Sequence, residues 1–139
     1  MKNNQKGFTL IEMLVVVAIV GLLSSVVVVG VGGARQKARD TKRVADMRST
    51  QTWAEANYIS AYPDAATWTA WSGKPIDPLN SGTNVYTYAQ CGTQSYIAHA
   101  LLEEGDNRPA GGLTSLPTEC AGSGVTCDSA ANYCVGPSS

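Results

Sequence analysis

A polar, basic leader from Met1 to Gly7 runs directly into an apolar stretch, Phe8 to Val31, with one carboxylate, Glu12, in its first turns. About 20 consecutive apolar residues cross a bilayer, so this stretch is long enough to span one. An ionised side chain in such a segment is costly. It marks function and needs a partner. A secretory signal has its cleavage site after a short apolar core of about 7–15 residues. Here the processing-like junction, Gly7-Phe8, comes before the apolar run, so a cut there leaves the helix on the product. The helix is kept for use, first as an anchor and then as a packing element. The bland alternative is an uncleaved signal anchor with an incidental glutamate.

The leader ending Lys6-Gly7, the motif Phe8-Thr9-Leu10-Ile11-Glu12 and the run Met13 to Leu23 resemble the N-terminus of type IV prepilins and type II secretion pseudopilins. The resemblance implies cleavage between Gly7 and Phe8 by a prepilin peptidase and N-methylation of Phe8. It also implies that Glu12 meets the freed N-terminal amine of a neighbouring subunit. A buried charge is tolerable only when paired, so docking the next copy would relieve it and set subunit register. The implied life history is a single-pass inner-membrane precursor, then a surface or extracellular filament. The implied partners are further copies of the chain, the peptidase, an assembly platform and a separate ATPase motor. The resemblance keeps the leader cytoplasmic, although the larger excess of basic residues lies on the distal side (Arg35, Lys37, Arg39, Lys42, Arg43 and Arg48) and positive-charge counting points the other way.

The expected fold is α+β: a long N-terminal helix packed on a small antiparallel sheet, with a disulfide-bounded C-terminal loop. The expected organisation is leader 1–7, membrane or filament-core half-helix 8–33, amphipathic half-helix 34–62 and β-rich head 63–139. From Ala34 to Arg48 there is no glycine or proline, and helix formers dominate. Val44, Met47, Gln51, Ala54 and Tyr58 recur at steps of three and four, a stripe to pack on the head. The helix is expected to reach about Ser60, and Tyr62-Pro63-Asp64 to end it. Gly21, Gly30, Gly32 and Gly33 weaken it by about 1 kcal/mol each relative to alanine. They serve either local loosening or close packing between helices. Trp68 and Trp71 lie in a connecting segment and are expected to pack over the head. Asn84–Gln90 and Ser95–Leu102 alternate as strands around a turn at Cys91–Thr93, and Asn132–Val135 reads as a last strand.

Cys91, Cys120, Cys127 and Cys134 all lie beyond the apolar segment. An even number in a small exported domain reads as two disulfides. A zinc site would want closer paired spacing. Four cysteines allow three connectivities, and sequence does not choose among them. The pairing carried forward is Cys120–Cys127 around Ala121–Thr126, with Cys91–Cys134. The loop from Cys120 to Cys134 resembles the variable, surface-facing loop of pilins.

Nothing in the sequence spells an enzyme. There is no P-loop, nucleophile elbow or H-E-x-x-H, and the lone His99 reads as structural. No cofactor is expected. Asp77, Asp106 and Asp128 are calcium candidates without EF-hand spacing, and the favoured reading is solvated loop acids. Three functions are therefore open. The first is a pilus-like filament subunit. The second is the major pseudopilin of a type II secretion system. The third is a DNA-binding pilin using the six basic residues of 35–48, although nucleic acid is not the expected partner.

Overall fold

The computed structural model describes residues 7–105 and 108–137, apart from the side chains of 26–30. The leader residues Met1–Lys6, the calcium candidate Asp106 and the last two residues of the C-terminal tail lie outside the described residues. A helix, α1, runs over Leu10–Ala56, and a short helix, α2, over Ala65–Ala70. Three strands follow: β1 (Thr87–Gln90), β2 (Tyr96–Leu101) and β3 (Asn132–Val135). They form one antiparallel sheet in the order β1-β2-β3, with Tyr88 opposite Ala98 and Ala98 opposite Val135. The α+β architecture expected from the sequence is the one observed.

The chain divides into two units, 1–35 and 36–139. In the first, α1 continues through Gly21, Gly32 and Gly33, where an added Cβ would meet nothing within 4 Å. These glycines are therefore not required by packing within the chain. Apolar side chains from Phe8 to Leu23 are exposed all round the helix. Among the described residues no helix is long and apolar enough to cross a membrane. The span expected over Phe8–Val31 includes the undescribed side chains of 26–30.

In the second unit α1 stops at Ala56, short of the expected Ser60. Asn57 turns back on the last turn, its side-chain amide donating to the Trp53 carbonyl at 2.8 Å. The expected stripe is used up to that point. Val44, Met47 and Ala54 are buried against Tyr96, Ala98, Ala100, Tyr133 and Val135 on one face of the sheet, whereas Tyr58, beyond the helix end, is exposed. Asp64 caps α2 by accepting from the Thr67 N–H at 2.7 Å. This places Trp68 flat on Tyr88 (5.7 Å between centroids) and Trp71 flat on Trp53 (4.8 Å). Tyr88 continues the series onto Tyr96 at 5.5 Å. Such ring pairs add about 0.5–1.5 kcal/mol each beyond the area they bury, so both tryptophans do pack over the head.

The other sheet face is also covered. Ile97 and Cys134 pack with Cys91, Cys120, Val125 and Cys127, so the C-terminal loop is a second core layer as well as a surface. The disulfides are Cys91–Cys120 and Cys127–Cys134, which corrects the expected pairing. Cys91 leaves β1 at the sheet edge and meets the 3₁₀ turn Thr118–Cys120, with Cα atoms 4.9 Å apart. Cys134 lies within β3, directly under the returning Cys127. The Cys91–Cys120 bridge spans a sequence separation of 29 and the Cys127–Cys134 bridge one of 7. Loop-closure entropy then makes the first worth roughly 3–4 kcal/mol and the second roughly 2–3 kcal/mol. Denaturant titration of the two double-serine variants should rank them in that order.

His99 sits between Thr87 Oγ1 (3.3 Å) and Asn132 Oδ1 (3.0 Å), tying the three strands together. That is a structural place for the only histidine, as the sequence reading has it.

Candidate functional site: the start of α1 and its support

At the start of α1, Thr9 and Glu12 cap the helix reciprocally. The Glu12 carboxylate accepts from the Thr9 backbone N–H at 2.9 Å and from the Thr9 hydroxyl at 2.8 Å, while Thr9 Oγ1 accepts from the Glu12 N–H at 3.4 Å. This is the capping box, a Ser or Thr followed three residues later by Glu or Gln, and it satisfies helix N–H groups that otherwise lack partners. The signal was in the sequence as Thr9-x-x-Glu12, yet reading Glu12 only as a charge in need of a distant partner passes over it. In the uncut chain the acid already has a local partner. Its expected pairing with a Phe8 amine belongs to the cut chain.

A second charged cluster holds the distal half of α1 to the rest of its unit. The Arg43 side chain is fully buried. Its Nε and Nη2 donate to the two oxygens of Asp77 at 2.6 and 3.1 Å, and its Nη1 to Asp40 at 2.8 Å and Glu103 at 2.7 Å. Arg39 Nε adds a further bond to Glu103 at 2.6 Å. Asp40 in turn accepts from the N–H groups of Glu103 and Glu104. One planar guanidinium serving three carboxylates is a task for arginine rather than lysine. Only the Asp40–Arg43 and Lys42–Asp46 pairs are local, three and four residues apart in the helix. The bonds to Asp77 and Glu103 reach across 34 and 60 residues, and no sequence spacing announces them.

Burial alone pushes the Asp77 carboxyl upward, but the Arg43 guanidinium and the N–H groups of Leu79 and Asn80 outweigh it and hold the acid below its ordinary 3.8. Glu103 is held below 4.5 by Arg39, against burial, and then by Arg43. Both groups bind protons more weakly folded than unfolded. Their stabilisation is thus complete above the ordinary carboxylate range and is lost as pH falls through the depressed folded values. The melting temperature of the full chain in detergent, followed by near-ultraviolet circular dichroism of the aromatic stack, should be level from about pH 5 upward and fall below about pH 4.

The same cluster changes the reading of two sequence candidates. Asp77 already serves Arg43 and two backbone N–H groups. Among the described residues no group of three His, Cys, Asp or Glu side chains is arranged to hold a metal ion. Of the six basic residues expected as a DNA-facing set, Arg39, Lys42 and Arg43 are in ion pairs and Arg48 points at the Ala110 carbonyl. That leaves Arg35, Lys37 and Arg48 without a carboxylate partner among the described residues.

Residues 2–28 match the family model of the prokaryotic N-terminal methylation motif. The chain carries the prepilin-type motif of type IV pilins and type II secretion pseudopilins. It is 46% identical over 46 residues to type II secretion system core protein G of Aeromonas hydrophila, which covers 33% of this chain and 32% of that protein. It is 45% identical over 47 residues to the core protein G of Dickeya chrysanthemi, covering 34% of this chain and 31% of that one. It is 50% identical over 39 residues to the type IV wide pilus major component PilA4 of Thermus thermophilus, covering 28% of this chain and 30% of that one. The matched stretch spans about a third of the length of these curated relatives. No solved structure matches the chain. The matched segment contains Gly7, Phe8, Thr9 and Glu12, so the expected cleavage junction and the capping box both fall within it.

Proposed function

We propose that this chain is a structural subunit, not an enzyme, which polymerises into a pilus-like helical filament. A prepilin peptidase cuts between Gly7 and Phe8, and Phe8 is then N-methylated. The precursor is held in the inner membrane by the apolar part of α1 and passes to an assembly platform driven by a separate ATPase. No cofactor takes part. The observation that carries the reading is a prepilin-type motif leading into a helix whose apolar side chains are exposed all round. A helix of that kind needs an apolar surrounding on every side. Lipid supplies it before assembly and the helices of other copies supply it afterwards, where the same area stays out of water.

A second reading, the major pseudopilin of a type II secretion system, is favoured by the relatives named core protein G. Electron microscopy of cells with and without the chain separates the two: long surface filaments that vanish with the chain support a pilus. The shared step is tested by mass and N-terminal sequence of the purified protein. It should begin at Phe8 and be one methyl group heavier than the unmodified product. A protein that begins at Met1 would overturn both readings.

A further inference from the structure

The rings of the head form one unbroken series. Trp71 lies flat on Trp53 at 4.8 Å, Trp53 meets Tyr88 edge-on at 6.0 Å, and Trp68 lies flat on Tyr88 at 5.7 Å. Tyr88 stacks on Tyr96 at 5.5 Å, Tyr96 touches Tyr62 at 4.6 Å, and Tyr62 touches Tyr58 at 4.8 Å. All three tryptophans of the chain and four of its six tyrosines belong to the series. Both ends reach the surface: Trp53 and Trp71 are half-buried, and Tyr58 is exposed. Indole and phenol rings in contact exchange electrons readily, so a ring oxidised at one end can be refilled from the other.

The hydroxyl partners decide where an oxidation comes to rest, because a phenol gives up an electron easily only when its proton leaves with it. Tyr88 donates to the Pro63 carbonyl at 2.9 Å and Tyr58 to the Gln94 side-chain carbonyl at 2.9 Å. Amide oxygens accept hydrogen bonds but do not keep a proton. Tyr62 donates to Glu55 Oε2 at 3.0 Å, inside the range of about 2.6–3.2 Å for a working proton acceptor. Tyr96 reaches the other oxygen of Glu55 only at 3.4 Å and also donates to the Gly136 carbonyl at 3.2 Å. Burial, and then the Glu55 carboxylate, hold the Tyr62 phenol above its ordinary 10.0, so at neutral pH it carries the proton to be released. We propose that the head relays oxidising equivalents along the ring series from the Trp53–Trp71 pair to Tyr62, with Glu55 as proton acceptor. A one-electron oxidant of the carbonate-radical class takes an electron from Trp71 and is reduced. The vacancy passes through Trp53, Tyr88 and Tyr96. Tyr62 then supplies the electron and its hydroxyl proton moves to Glu55, leaving a neutral tyrosyl radical beside a protonated carboxyl. A one-electron reductant of the ascorbate class returns an electron through Tyr58, and Glu55 returns the proton. The relay lies wholly within 36–139 and does not depend on assembly.

The test uses the full chain in detergent near neutral pH, with photogenerated tris(bipyridine)ruthenium(III) as the oxidant. Transient absorption should show a tryptophan radical giving way to a tyrosyl radical, more slowly in deuterium oxide than in water. Tyr62→Phe keeps the ring, removes the hydroxyl and should leave the oxidation on tryptophan. Glu55→Gln keeps an acceptor oxygen, removes the base and should slow tyrosyl formation by about a hundredfold, the lower end of what a positioned base supplies. Tyr86 also donates to a carboxylate, Asp46 at 2.8 Å, but is joined to the series by no ring pair among the described residues. Tyr86→Phe is therefore the control and should give the same tyrosyl yield as the unaltered chain. Near-ultraviolet circular dichroism shows that each variant keeps its ring packing. An oxidation that stays on tryptophan in the unaltered chain overturns the relay. So does an undiminished tyrosyl yield in Tyr62→Phe, or a yield lost in Tyr86→Phe instead. An unchanged rate in Glu55→Gln, or equal rates in the two waters, overturns the proton transfer to Glu55.

Discussion

Replacing Arg43 with alanine is expected to cost about 3–5 kcal/mol, the penalty for removing one partner of a buried ion pair. Small domains are stable by only about 5–15 kcal/mol, so most of the margin would go. Arg43 is fully buried and serves Asp77, Asp40 and Glu103 at once. Without it, three acids crowd one site with only Arg39, at its edge, to answer them. Lysine at the same position restores one charge but not the fork that holds Asp77 through two bonds, and should recover only part of the loss. Lys42→Ala is the control, because the Lys42 side chain is exposed and pairs with exposed lysines contribute about 0–1 kcal/mol. Denaturant unfolding of the full chain in detergent, read by near-ultraviolet circular dichroism, gives all three values. An Arg43→Ala midpoint equal to that of Lys42→Ala would mean the cluster does not hold the head together.

Glu12→Ala is expected to abolish filaments while leaving head stability and N-terminal cleavage intact. The residue lies at the exposed end of α1, in the unit separate from the head, so its loss should not be felt in the melting temperature. Two roles meet in its carboxylate: it caps its own helix through Thr9, and in the cut chain it is proposed to receive a neighbour's Phe8 amine. Thr9→Ala separates them, because it weakens the cap while keeping the charge. If the charge governs assembly, Thr9→Ala retains filaments and Glu12→Ala has none. Equal loss in both variants would assign the effect to the helix cap, and normal filament yield from Glu12→Ala would remove the proposed role altogether.

The local features were legible in the sequence. The apolar run, the stripe Val44, Met47 and Ala54, the turn after β1 and the alternation of Tyr96, Ala98 and Ala100 depend on neighbours within a few residues. Periodicity reports these directly. The capping box was equally local and spelled out at Thr9 and Glu12. The same carboxylate, as a charge in an apolar segment, also points to a distant partner, and spacing alone does not rank the two roles. The helix end at Ala56 has no glycine or proline to mark it: Asn57 still bonds the Trp53 carbonyl, and the Tyr58 N–H turns to the Glu55 carbonyl instead of continuing the helix.

By itself, the sequence determined the apolar run, the long helix, the small antiparallel sheet and the presence of paired cysteines. Each follows from composition or spacing along the chain. Only the tertiary structure decided which cysteines pair, that the C-terminal loop covers the second sheet face, and that Arg43 gathers Asp77 and Glu103 from two separate loops. These are contacts between residues far apart in the chain. Their partners are fixed by where the sheet and the helix bring the backbone together, and no period in the sequence encodes that placement.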